Sequence, residues 1–151
     1  MRSITILGAL LILAFPFPLS ASLGGDVTSV EADRAKMQGS LRTSSSDLYT
    51  VHEIRTSTGV AVREYASPAG KVFAVAWQGP ILPDLQQLLG AYFDQYTQAA
   101  QAQRALRHGR GPLQIQLPRL VVQSAGHPRA FLGKAYLPQM LPAGLHAEDI
   151  R

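Results

Sequence analysis

The sequence has 151 residues, 46% of them hydrophobic and 16% charged, with 14 basic and 10 acidic side chains and no cysteine. This length supports one hydrophobic core but is short for two. The lack of cysteine excludes disulfide staples, thiolate metal sites, iron–sulfur clusters and cysteine nucleophiles, so stability must come from packing.

The chain opens with Met1-Arg2-Ser3 and runs from Ile4 to Phe17 without a charged side chain. A positive start followed by an apolar stretch of this length reads as a signal peptide, with cleavage expected after Ala21 and Ser22 as the alternative. A spanning helix needs about 20 apolar residues, and Pro16 and Pro18 interrupt this one first, so no retained transmembrane segment is expected. With no cysteine after the apolar stretch, a lipid anchor is excluded. The expected location is the periplasm or the extracellular medium. Residues 22–47 read as a weakly patterned N-terminal segment and 48–151 as the main part of a single mature domain.

Charge is unevenly distributed. Residues 22–97 carry eight acids and six bases, whereas residues 98–147 carry six bases and no acid. The second half could therefore meet an anionic envelope component or an acidic protein partner. Its bases are spaced singly and lack interleaved aromatics, which argues against nucleic acid.

The first predicted element is a short helix within Val27–Met37, capped by Thr28 or Ser29. Gly39 to Asp47 reads as a loop by composition. Strands are expected over Leu48–Arg55, Val60–Tyr65 and Lys71–Trp77, separated by the turns Thr56–Gly59 and Ser67–Gly70. The third strand is apolar on both faces and is expected at the centre of the sheet. Short loops favour an antiparallel meander.

A helix follows from Leu82 or Pro83. Its apolar stripe is Leu85, Leu88, Leu89, Tyr92, Phe93 and Tyr96, thinning to Ala and Gln beyond, so its first half should lie on the sheet and its second half project or stop early. Gly109 is the expected stop. Strands are then expected at Leu113–Leu117, Arg119–Gln123 and Ala130–Leu137, the last with a bulge at Gly133. The tail from Pro138 reads as irregular or briefly helical. The fold class is α+β, a mostly antiparallel sheet of four to six strands with one principal amphipathic helix packed on it.

Catalytic signatures are missing. His52, His108, His127 and His146 lie 56, 19 and 19 residues apart, with no local ligand pair, so no metal site and no cofactor are expected. Neither G-x-S-x-G nor a phosphate-binding glycine frame occurs. Glu53 and Glu64 could form a carboxylate pair, though cross-strand ion pairing with Arg55 and Arg63 is the commoner use of such residues. The candidate ligand-binding residues are Glu64, Tyr65, Trp77, His127 and Arg129. A recognition surface is sought where Trp77 and Gln78 leave the sheet beside the turn Gly126–Arg129, because aromatics give large contact area at modest entropic cost.

Several segments together carry a family likeness: Leu23-Gly24-Gly25, Val62–Tyr65, the run from Gly70 through VFAVAWQG to Pro80, Pro83-Asp84-Leu85, Tyr92-Phe93, Val121–Ser124, Gly126-His127 and Gly133–Pro138. On these the chain resembles a family of exported proteobacterial proteins catalogued as domain of unknown function 2844. The resemblance implies export to the cell envelope and one full-length domain, and it implies no activity. The residues leave three classes of function. The first is a non-catalytic binding or interaction module. The second is a hydrolase-type envelope enzyme assembled from dispersed residues such as Glu64, His127 and Arg129. The third is an assembly component that docks through an edge strand or the far end of the helix.

Overall fold

The computed structural model describes residues 23–106, 109 and 111–151. The expected signal peptide lies outside the described residues, as do Arg107, His108 and Arg110. The fold is α+β, a seven-stranded antiparallel sheet with helices on one face. The strands are β1 (Ser40–Ser45), β2 (Thr50–Arg55), β3 (Ala61–Ala66), β4 (Val72–Gly79), β5 (Leu113–Leu117), β6 (Leu120–His127) and β7 (Ala130–Tyr136). Their spatial order is β1-β2-β3-β4-β7-β6-β5, two meanders joined where β4 meets β7.

β4 holds the centre. All six residues from Val72 to Trp77 are buried, because the alternating side chains meet apolar cover on both faces. Each such side chain withdrawn from water contributes about 1.5–3 kcal/mol for the larger residues.

The strand count exceeds the expected four to six because Gly39–Asp47 does not stay a loop. Ser40–Ser45 is an edge strand paired residue by residue with β2, from Ser40 opposite Arg55 to Ser45 opposite Thr50. Its composition hides it: as an edge it needs backbone pairing and little burial, and hydroxyls do the side-chain pairing. Thr43 Oγ1 lies 3.2 Å from a ring nitrogen of His52, and Ser45 Oγ 3.1 Å from Thr50 Oγ1.

The short helix α1 (Val30–Lys36) follows a single 3-10 turn. Ser29 stands at the N-cap of α1, as expected, but makes no side-chain capping bond; the capping bond is made by Asp26 at the 3-10 turn, whose carboxylate accepts the Thr28 backbone N–H at 3.0 Å. The expected long helix is broken. Asp84 caps α2 (Leu85–Leu89) by accepting the Gln87 N–H at 3.1 Å. Gly90, at φ 50° and ψ −121°, then leads through a 3-10 turn into α3 (Phe93–Leu106). Only glycine adopts that backbone cheaply. α3 buries Tyr96 and Ala100 and leaves Leu106 82% exposed, so the thinning stripe does mark where the helix leaves the sheet.

The helix-side core joins Leu85, Leu88, Leu89, Tyr96 and Ala100 to Val62, Val75, Trp77, Val122 and Ala135 of the sheet. Gly133 does not mark a bulge. The register runs through it unbroken, opposite Trp77 on one side and Ser124 on the other, and the irregularity lies at Tyr65/Ala66. Glycine is required at 133 for space, because the Trp77 ring lies across it where a Cβ would stand. Gly133→Ala should therefore destabilise the fold by about 1–3 kcal/mol through overpacking. Urea unfolding of the two proteins checks this, and an unchanged midpoint would refute the steric account.

Candidate functional site

The five sequence candidates do not form one site. In β3 the side chains alternate, so Glu64 faces the helices while Tyr65 faces the opposite side of the sheet. Trp77 is packed in the helix-side core at 3% exposure, its Nε1 without a hydrogen-bond partner. His127 and Arg129 stand at the exposed β6–β7 hairpin. His127 shares the face of Gln123 and Ala125, opposite to the face of Glu64, so no reacting atom can touch both.

Glu64 is fully buried, and both of its carboxyl oxygens lack partners among the described residues. Burial, reinforced by the charge of Asp33, pushes its pKa up to about 8. Asp33 of α1 is 1% exposed and is raised by burial to about 6, a shift opposed by the hydrogen bond from Gln87 and by the charge of Lys36. Gln87 Nε2 donates to Asp33 Oδ1 at 2.5 Å, tying α1 to α2. Across the sheet from Glu64 stands His52 of β2, its pKa lowered by burial. An uncompensated carboxylate in such a place is prohibitively costly, so Glu64 is held as the neutral acid at neutral pH. The sequence pairing of Glu64 with Glu53 fails by parity: Glu53 lies on the other face, bonded through Oε1 to Arg55 Nε at 2.6 Å and through Oε2 to Arg63 Nε at 2.7 Å.

The helix-free face is ordered in rows that cross all or most of the sheet. One row, Val51, Tyr65, Ala74, Tyr136 and Val121, is apolar, and the segment 137–151 packs over it through Leu141, Leu145 and Ile150. The next row runs Arg42, Glu53, Arg63, Ala76, Lys134, Gln123, Gln114. Small Ala76 lets the backbone of residues 150–151 lie flat, and the flanking cations clamp it. Lys134 Nζ donates to the carbonyls of Ala147 at 2.5 Å and Ile150 at 3.2 Å, and Arg63 donates to the backbone oxygen of Arg151 at 3.0 Å. The Tyr65 hydroxyl donates to the same oxygen at 2.8 Å and accepts the Arg151 N–H at 3.0 Å. Tyr65 is thus an anchor for the segment.

The last row, Arg55, Ala61, Gln78, Leu132 and Ala125, has no such cover, and Leu132 is 56% exposed. Between it and the strap of residues 150–151 lies a hollow of about 460 Å³, floored by Gln78, Gln114, Gln123 and Lys134. A second hollow of about 440 Å³ continues from it past Arg63, Gln78 and Leu132 to Arg55, Pro80 and Arg129. Together they make a groove of amides and cations with apolar walls. This is where Gln78 leaves the sheet beside the hairpin turn, although Trp77 contributes no exposed ring there. Gln114 and Gln123 were not distinguishable from ordinary solvent-facing strand residues in the sequence; only their register with Lys134 and Gln78's neighbours gathers them.

Among the described residues the bases of 98–147 do not make one surface. Arg104 lies on α3 near Tyr96, whereas Arg129 and Lys134 border the groove. Among the described residues no group of three or more His, Asp or Glu side chains could hold a metal ion, and no helix is long and apolar enough to cross a membrane.

The buried acids carry a pH signature. A carboxyl whose folded pKa is raised keeps its proton in the folded state after the unfolded chain has lost it. Stability from Glu64 is therefore fully present below about pH 4.5 and lost as pH rises to about 8. His52, lowered by burial, has the opposite sign and adds stability above its unfolded value near 6.5. Comparing urea midpoints at pH 5.5 and 8.5 should show Glu64→Gln losing less stability over that interval than the unaltered protein, by about 2 kcal/mol or more. Parallel losses would rule out a buried neutral acid.

No curated protein and no solved structure matches this chain. A family model described as a protein of unknown function matches residues 19–150, nearly the whole length. The chain belongs to the family DUF2844.

Proposed function

We propose that this protein is an exported, non-catalytic binding module of the cell envelope, whose ligand lies along the groove on the helix-free face of the sheet. The observation that carries this reading is the groove itself: two contiguous hollows of about 460 and 440 Å³, floored by amide and cationic side chains and walled by Leu132, Pro112 and Ile150. A site with polar groups set among apolar walls suits an elongated polar ligand that needs orienting but no bond making. The acids that could do proton chemistry are sealed beneath the helices, which counts against the enzyme reading. Export rests on the N-terminal sequence pattern and on the family resemblance.

Native mass spectrometry of the protein recovered gently from an envelope extract tests this reading. The unaltered chain should carry an added mass, and Gln78→Trp, which fills the groove from an exposed floor position, should lose it. Added mass retained by the filled variant, or absent from both, would overturn the assignment.

A second reading, docking into an assembly, is favoured by the difference between the two sheet edges. β5 is flanked by Pro112 and Pro118, and Gln103 Nε2 donates to its Gln114 carbonyl, whereas among the described residues β1 has no such protection. If β1 serves an assembly, Thr43→Pro at the edge should abolish it while leaving the fold cooperative, as read by light scattering and thermal unfolding.

A further inference from the structure

The β6–β7 hairpin turns on Pro128-Arg129, with His127 opposite Ala130. Arg129 has φ 74°, the left-handed region, where a turn with Pro at its first central position ordinarily takes glycine at the second. A bulky side chain there is strained, and strain kept at one position directs attention to what its side chain does. The Arg129 side chain lines the 440 Å³ hollow together with Arg55, Arg63 and Gln78, and among the described residues it has no ion-pair or hydrogen-bond partner.

Opposite it, Glu53 is bonded to Arg55 Nε at 2.6 Å and to Arg63 Nε at 2.7 Å. It thereby holds two guanidinium groups side by side at the edge of the hollow. Three guanidinium groups thus border one hollow, two of them bonded to the same side-chain carboxylate. A guanidinium fork matches paired oxygens, and a phosphate group presents more such pairs than a carboxylate does.

The geometry points to a phosphate-monoester site at Arg55, Arg63, Gln78 and Arg129, which holds the charged end of the groove's ligand. This deepens the binding-module reading and rests on it. The same chemistry could belong to a soluble phosphate compound or to a lipid headgroup.

Titration of the full chain with inorganic phosphate in 0.15 M sodium chloride, followed by NMR shifts, and sedimentation with phosphatidylcholine vesicles with and without phosphatidic acid, provide the test. Saturable shifts with free phosphate identify a soluble source, and phosphatidic-acid-dependent sedimentation alone identifies a lipid source. In either case Arg129→Gly should weaken binding at least tenfold while raising the melting temperature, since glycine relieves the strained turn. Arg55→Gln should weaken binding without the gain in stability. Binding unchanged in Arg129→Gly, or no binding to either probe, overturns the site. Because Gln78→Trp reads the groove separately, its displacing an envelope ligand that Arg129→Gly still holds would leave the groove standing and remove only the phosphate assignment.

Discussion

The structure depends on covering both faces of one sheet, and among the described residues the two faces are covered unequally. Helices occupy one face completely enough to bury Val62, Val75, Trp77 and Val122. On the other face, residues 137–151 cover the apolar row through Tyr65, Ala74 and Tyr136, and this cover ends at Ala76. The alanines matter as much as the aromatics: they keep the floor low enough for a backbone to lie on it. Where the cover stops, the side chains change from Tyr and Val to Gln, Arg and Lys, so the edge of the strap is also the chemical boundary of the groove.

Much of this was legible. Six strands fall where alternation and turn residues put them, and the double-sided apolar run Val72–Trp77 announces a central strand. The missed strand, Ser40–Ser45, carries almost no hydrophobic signal because its stability comes from pairing with β2 and from hydroxyl contacts, both long-range properties. Gly133 was legible as special, but the reason for it, an indole lying across it from the next strand, depends on the β4–β7 register. The groove was legible only as a neighbourhood near Gln78 and Arg129. Sequence alone cannot align Gln114, Gln123 and Lys134, which are brought level by two successive antiparallel registers.

Glu64 shows why residue type is a weak guide to role. Placed in an exposed hairpin it would be one more ion-pair partner; one residue of alternation instead puts it beneath α1, beside Asp33 and with His52 across the strand. Gln87 satisfies one oxygen of Asp33, whereas Glu64 has no partner among the described residues and is stabilised by keeping its proton.

The strand order carries a consequence for how the domain forms. β1 to β4 are joined by short turns, as are β5 to β7, so each half can zip from local contacts whose loop-closure cost is small. The seam between β4 and β7 is different: Gly79 meets Phe131 and Ala74 meets Tyr136, with α2 and α3 in the intervening chain. Closing it fixes the longest loop among the strand pairings and seats Trp77 on Gly133 in the same event. The buried centre of the sheet is thus completed only where the two meanders meet, and loop-closure entropy makes that pairing the costliest of the six to close.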